Sequence, residues 1–224
     1  MHGARILLIT DPAYDESHID ATIVAVARAL AAFGPGLLAV QLRDKSAAPA
    51  ALRARARALR ALTRSCGALL IVNGEPEVAE EVDADGLHVP GIARDRNAVA
   101  RARAVVGPMR AIHVPVHTRE EVILACDAGA DAILVSPIFD TPGKGPARGT
   151  FALEQARELV RQSREQDAAL CVYALGGIDA SRASACHRAG ADGVAIIRAL
   201  LDAPDPVATA NCLILPWLTA SRSC

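Results

Sequence analysis

Gly34-Pro35-Gly36-Leu37-Leu38-Ala39-Val40-Gln41-Leu42-Arg43-Asp44-Lys45 is an apolar run behind a Gly/Pro break, and its reading decides the fold. Leu37 to Leu42 has the length and flanks of a buried strand. At its end the alternation throws out Gln41, Arg43 and Lys45, so one face changes from packing groups to an amide, a guanidinium and an ammonium. A planar fork of donors beside a point charge suits a diphosphate or carboxylate far better than a core. A solvated strand end is the plainer reading of this cluster taken alone. It loses ground because similar polar groups stand at other strand ends.

Outward from this strand the same unit repeats. Arg5 to Thr10 reads as a first strand stopped by Asp11-Pro12, and Ile19 to Phe33 carries helical spacing. After the strand at 37–42 come an Ala/Arg/Leu helix at 49–65, a strand Leu69 to Val72 ending at Asn73-Gly74, and a short helix Glu77 to Val82. Gly86 to Val89 is the fourth strand, closed by Pro90-Gly91, with a helix from Asn97 to Val105. Met109 to Val114 is the fifth, followed by a helix that Thr118-Arg119-Glu120-Glu121 opens as a capping box. Ala132 to Val135 is the sixth, and a Gly/Pro-rich loop runs from Ser136 to Gly149. Helix 152–163, strand 169–175, helix 180–189, strand 193–197 and a last helix from 205 complete the series.

Sustained βα alternation with continuously apolar strands implies a parallel sheet covered by helices. Eight such units in 224 residues imply closure into a single (β/α)8 TIM barrel spanning 1–224, with a doubly wound open sheet as the alternative. Ala128-Gly129-Ala130-Asp131 and Ala189-Gly190-Ala191-Asp192 echo each other as helix stops before a strand, at the end of the barrel where sequence serves folding. The apolar segment 211–224 contains Pro216, expected to end or kink the last helix. It could plug the barrel bottom or meet a partner subunit, which leaves a homodimer open.

Composition narrows the function. Lys plus Arg (24) nearly cancels Asp plus Glu (25), so no global field favours nucleic acid or an anionic membrane, and any anion site must be local. The six cysteines form no CxxC pair and no zinc-type spacing with the six histidines, as expected of reduced, mostly buried thiols. No apolar run approaches the ~18 residues of a membrane helix, and the expected setting is cytoplasmic.

The strand C-terminal ends of such a barrel form its working face. They hold Gln41, Arg43 and Lys45, then Asn73, His88, His113 and His117, Thr141 and Lys144, and Gly176-Gly177. This set is rich in donors and poor in carboxylates, so it should bind anions. Leu175-Gly176-Gly177-Ile178-Asp179 puts bare amides at a strand-to-helix turn, the position of a recurring phosphate cradle; a tight turn needing glycine φ angles is the plainer account. The loop Ser136 to Gly149 is long enough to cover a ligand and bring Lys144 to a phosphate. His88 could hydrogen-bond a heterocycle, or be a neutral histidine satisfied by backbone. No Ser/His/Asp set and no spaced carboxylate pair is present, which disfavours hydrolases and glycosidases.

Val-Gln-Leu-Arg-Asp-Lys at 40–45, Leu-Leu-Ile-Val-Asn at 69–73, Asp-Gly-Leu-His-Val at 85–89, Ser-Pro-Ile-Phe-Asp-Thr at 136–141 with Lys144, Leu-Gly-Gly-Ile at 175–178 and Gly-Ala-Asp-Gly-Val-Ala at 190–195 together resemble the thiamine-phosphate synthase family, over roughly residues 5–200. The resemblance implies a transferase that joins hydroxymethylpyrimidine diphosphate to thiazole phosphate and releases diphosphate. It implies that Gln41, Arg43, Lys45, Asn73 and Lys144 hold the diphosphate with Mg2+, that Thr141, Gly143 and the turn at Gly176 and Gly177 hold the thiazole phosphate, and that His88 lies by the pyrimidine. The departures are specific. Gly74 stands where the family has a metal aspartate, for which Glu75 could partly substitute, and Pro90-Gly91-Ile92-Ala93 where a second follows, with Asp95 as the candidate metal ligand there. Pro115 replaces a diphosphate-contacting serine. A thiazole tautomerase and a non-catalytic phosphate-ligand binder are the alternatives these departures raise. Against the tautomerase, the proton-moving histidine of that branch falls near Pro137, which cannot do acid-base work.

Overall fold

The computed structural model describes residues 3–141, 146–163 and 170–220. Eight parallel strands, β1 (Ile6–Ile9), β2 (Leu38–Leu42), β3 (Leu69–Asn73), β4 (Gly86–His88), β5 (Ala111–Val116), β6 (Ala132–Val135), β7 (Cys171–Leu175) and β8 (Gly193–Ile196), close into a barrel in sequence order, β8 pairing with β1. Helices α1 (Glu16–Leu30), α2 (Pro49–Cys66), α3 (Pro76–Glu81), α4 (Ala98–Val106), α5 (Arg119–Asp127), α6 (Phe151–Ser163) and α7 (Ala180–Arg188) follow β1 to β7, and a short α8 (Arg198–Leu201) and long α9 (Pro206–Ala220) follow β8. The expected TIM barrel is the fold. Strand five begins at Ala111 rather than Met109, whose side chain is 92% exposed below the barrel.

Period-two alternation sorts each strand between two apolar layers. Ile6, Leu8, Val40, Leu70, Val72, Ile112 and Val172 face the helices, while Leu7, Ile9, Ala39, Ile71, Leu134, Tyr173 and Ala195 fill the barrel. Tyr173 is the bulkiest group inside, its hydroxyl donating to the Ala4 carbonyl at 2.8 Å. It fits because β8 opens with Gly193, where a Cβ would stand 2.6 Å from the ring. Gly193→Ala is therefore expected to overpack the barrel and cost about 1–2 kcal/mol, read as a lower urea midpoint with unchanged slope. A neutral substitution would show that both the ring and the Arg5 carbonyl oxygen, also 2.6 Å from that Cβ, can move aside.

The Ala-Asp echoes have a physical purpose, and there are three of them. Asp85, Asp131 and Asp192 each precede an even-numbered strand. Their carboxylates accept the backbone N–H of Leu70 at 2.8 Å, Ile112 at 2.7 Å and Val172 at 2.8 Å on the preceding strands. Each also pairs with a helix arginine: Asp85 with Arg60 at 2.6 Å, Asp131 with Arg103 at 2.5 Å, and Asp192 with Arg157. One carboxylate thus ties two strands and a helix at the barrel's N-terminal end.

Residues 211–220 continue α9 through Pro216. The expected break does not occur: proline removes a single backbone donor, while Leu213, Ile214 and Trp217 stay buried against the barrel. The indole of Trp217 donates to the Ala191 carbonyl at 2.9 Å and meets the His187 ring edge-on at 5.4 Å. This segment packs on α1 and α7 of its own chain, not across the barrel bottom. Among the described cysteines, Cys126 and Cys186 are buried, Cys66 and Cys171 half-buried and Cys212 exposed. No helix among the described residues is long and apolar enough to cross a membrane.

Candidate active site

Pairing register assembles the site from residues far apart in sequence. Gln41 lies opposite Ile71, Asn73 opposite His88, and His88 opposite His113, so the inward side chains at the ends of β2, β3 and β4 stand side by side in the mouth. Gln41 Nε2 donates to Asn73 Oδ1 at 3.3 Å. Gln41 is 2% exposed and His88 6%, yet Gln41 Oε1 and His88 Nδ1 have no partner among the described residues. Buried polar atoms are seldom left unmatched, and this pair stands in a cavity wall open to a ligand or to water.

Beyond β2 the chain is steered toward the mouth. The Thr10 hydroxyl accepts from the Arg43 amide at 2.9 Å and donates to the Arg43 carbonyl at 3.4 Å. Asp44 then turns away: its carboxylate accepts from the Ser46 hydroxyl at 2.7 Å and the amides of Ser46 and Ala47 at 2.8 and 3.0 Å. The Ser46 hydroxyl is the main reason its pKa is lowered, with Arg43 a smaller contributor. Arg43 and Lys45 are left on the wall of a cavity of about 590 Å³, which Gln41, Asn73, His88 and Arg94 also line. No salt bridge of Arg43, Lys45 or Arg94 occurs among the described residues, whereas eleven other arginines, from Arg53 to Arg182, are paired with carboxylates. The charge of the mouth is therefore held open for an anion.

Burial, then the neighbouring His113 and the cations Arg43 and Lys45, push the pKa of His88 down to about 3, so it is a neutral hydrogen-bonding group at physiological pH. His113, one layer deeper and stacked on Tyr173 at 5.9 Å, is pushed to about 4 by burial, with Asp131 opposing. Both histidines regain an ordinary pKa near 6.5 on unfolding, so the unfolded chain binds the extra protons and stability falls as pH drops below about 6.5 toward the folded values. Between pH 6.5 and 5 each should cost roughly 2 kcal/mol. Urea melts at both pH values, with His113→Gln losing part of the difference, check this; a flat profile would mean that the rings are solvated.

The β6 and β7 loops form the other side of the mouth. The amides of Ile138 and Phe139 donate to the carbonyls of Leu175 and Gly176, both at 3.0 Å. A Cβ on Gly176 would lie 2.9 Å from Pro137 Cα, and one on Gly177, at φ 61°, 2.7 Å from the Asp140 carbonyl oxygen. These glycines thus let two loops touch. The Asp179 carboxylate accepts the amides of Ser181 and Arg182 at 2.9 and 3.1 Å, capping α7. The Thr141 hydroxyl donates to the Phe139 carbonyl at 3.1 Å. Thr141, Gly176 and Gly177 adjoin the cavity through this loop pair but are not on its wall, which Ser136 and Leu175 reach. Gly143 and Lys144 lie outside the described residues.

Sequence reasoning undervalued His117 and Glu121 and missed Arg94; all three line the cavity. His117 Nδ1 contacts the Ser136 carbonyl at 2.9 Å. Thr118 caps α5 by accepting the Glu121 amide at 3.2 Å, but Glu121 reaches back one residue further than a capping box requires, to the amide of His117. Asp95 stands elsewhere than expected. Its carboxylate pairs with Arg101 and accepts the Asn97 amide at 3.1 Å, in a separate hollow between α3 and α4 shared with Gly74 and Glu77. The Arg101 bond is the main cause of its lowered pKa. A carboxylate so committed is a poor Mg2+ ligand, and among the described residues the cavity wall offers only Glu121, itself occupied. Among the described residues no three His, Cys, Asp or Glu groups could hold a metal ion together. The wall does not fit a carboxylate-held metal.

Fold and site together define a (β/α)8 barrel whose strand ends bring amides, an imidazole and cations without a salt bridge among the described residues to one cavity. The family model described as thiamine monophosphate synthase matches residues 6–200. A thiamine-phosphate synthase of Roseiflexus sp. (strain RS-1) is 39% identical over 183 residues, covering 82% of this chain and 74% of that protein. One of Chloroflexus aurantiacus is 34% identical over 207 residues, covering 92% and 89%. The structure of a thiamine phosphate pyrophosphorylase from Pyrococcus furiosus superimposes with a TM-score of 0.77 at 26% identity, covering 98% of this chain and 97% of that one. The chain belongs to the thiamine monophosphate synthase family and is a transferase of thiamine biosynthesis.

Proposed function

We propose that this chain joins hydroxymethylpyrimidine diphosphate to thiazole phosphate, giving thiamine phosphate and diphosphate. The observation that carries this reading is one cavity in which Arg43 and Lys45 stand beside the unsatisfied Gln41 Oε1 and His88 Nδ1. The cations take the diphosphate. Gln41 and Asn73 extend the donor set along it, and neutral His88 meets the pyrimidine edge. Thr141, Gly143, Gly176 and Gly177 hold the second phosphate from the β6 and β7 loops, and Lys144 belongs to the same loop.

The chemistry asks little of the protein beyond charge and geometry. The C–O bond to the diphosphate breaks and its electron pair leaves with the diphosphate, which leaves a methylene cation conjugated with the pyrimidine. The thiazole ring nitrogen donates its lone pair to that carbon, forming the new C–N bond. Cations on the leaving group stabilise the charge that develops there, and holding the two rings in contact removes the entropy cost of their encounter. Neutral His88 adds no positive charge beside the carbocation. The substrates are small phosphorylated molecules, and Mg2+, if used, would be held chiefly by substrate phosphates and water.

The test is to incubate the purified protein with both phosphorylated halves, with and without Mg2+. Thiamine phosphate appearing with stoichiometric diphosphate supports the reading. Isomerised thiazole alone, or saturable binding without product, overturns it.

A further inference from the structure

The loop after β4 brings Arg94 to the wall of the mouth, while the carboxylate next to it, Asp95, is carried to another hollow. Pro90-Gly91-Ile92-Ala93-Arg94 runs along the cavity wall, and the amides of Arg94 and Asp95 both donate to the Gly91 carbonyl, at 2.9 and 3.2 Å. This turn separates neighbouring side chains. Arg94 lies on the barrel-mouth side with Arg43 and Lys45, while Asp95 lies in the outer hollow against Arg101. Arg94 is exposed and forms no salt bridge among the described residues, while its neighbour at 95 is fully engaged.

The charge count follows. Among the described residues three side-chain cations line the cavity, and the one carboxylate on its wall, Glu121, is tied to the His117 amide. A diphosphate ester carries about three negative charges near neutral pH, and guanidinium forks match its paired oxygens bidentately. A divalent cation entering the same cup would meet three like charges and one committed carboxylate.

We propose that Arg94 is a third diphosphate-binding cation, which with Arg43 and Lys45 neutralises the leaving group directly, so that this chain binds diphosphate without a divalent metal. The proposal deepens the transferase reading and rests on it for the identity of the anion. Arg94 is a binding group that strengthens its contacts as the C–O bond breaks and charge accumulates on the diphosphate.

The experiment is calorimetric titration of inorganic diphosphate into the full chain, in EDTA and in excess Mg2+, for the natural protein, Arg94→Ala and Arg94→Lys. Saturable binding in EDTA within about threefold of that in Mg2+ is expected, with Arg94→Ala weakening it about tenfold or more and Arg94→Lys, which keeps the charge but loses the fork, falling between the two. Thermal melts confirm that the variants fold, as expected for an exposed side chain. Binding that vanishes in EDTA and returns with Mg2+ overturns the proposal, as does Arg94→Ala binding like the natural protein. Product formation separates the two readings. Turnover combined with metal-dependent diphosphate binding defeats the third-cation proposal alone. Metal-free binding through Arg94 in a chain that makes no thiamine phosphate leaves the clamp standing and defeats the substrate assignment.

Discussion

Arg43→Ala is expected to lower kcat/KM at least about 100-fold, or roughly 2.7 kcal/mol of transition-state stabilisation, and to weaken inorganic diphosphate to the edge of detection by calorimetry. The guanidinium lies on the cavity wall without a salt bridge among the described residues, so its removal breaks no internal tie, and the melting temperature should hardly move. Its field is one reason that His88 stays neutral, after burial and His113. The variant's His88 should therefore titrate slightly higher, visible by NMR of the ring protons. Arg43→Lys keeps the charge but loses the planar fork, and should fall between the two, about tenfold down. Unchanged diphosphate affinity in Arg43→Ala would remove this residue from the site.

Asp192→Ala should produce the largest loss of stability, about 3 kcal/mol, with activity per folded molecule preserved. The carboxylate accepts the Val172 amide at 2.8 Å and pairs with Arg157, 32% and 28% exposed at the two side chains. Deleting it orphans an N–H inside the β7 ladder and strips Arg157 of its counter-charge, although Arg157 still donates to the Gly190 carbonyl at 2.9 Å. A lower urea midpoint at constant slope, with kcat unchanged, is the expected pattern. A loss under about 0.5 kcal/mol would mean that water replaces the carboxylate at both partners. Because Asp85 and Asp131 make the same pair of contacts, their alanine variants should behave alike.

The outline of the barrel and half of its mouth could be read directly from the residues. Continuous apolar strands cannot be half-solvated, so each of the eight had to be covered on both faces, and the order of elements followed. Gln41, Asn73 and His88 were legible because each ends a strand, where alternation fixes the side on which a side chain lies. Arg94 and Asp95 were not. They sit in a loop between elements, where no period operates, and which of two adjacent residues faces the cup depends on a turn closed by the Gly91 carbonyl. The carboxylate chosen from sequence as a metal ligand was the one that the turn carried away. The same limit applied to Pro216, whose effect on α9 was settled by the burial of Trp217 against the barrel rather than by proline's local preference.

The sequence by itself determined the eight βα units, the cationic end of β2, the Asp-before-strand echoes and, through its motifs, the family. These are properties of period, charge and spacing, which a linear chain carries without being folded. Tertiary structure alone decided which cations share one cavity, which carboxylates are spent on arginines, and that two buried polar atoms at the mouth lack partners among the described residues. Those depend on distances between residues tens of positions apart, and only barrel closure and its register set them.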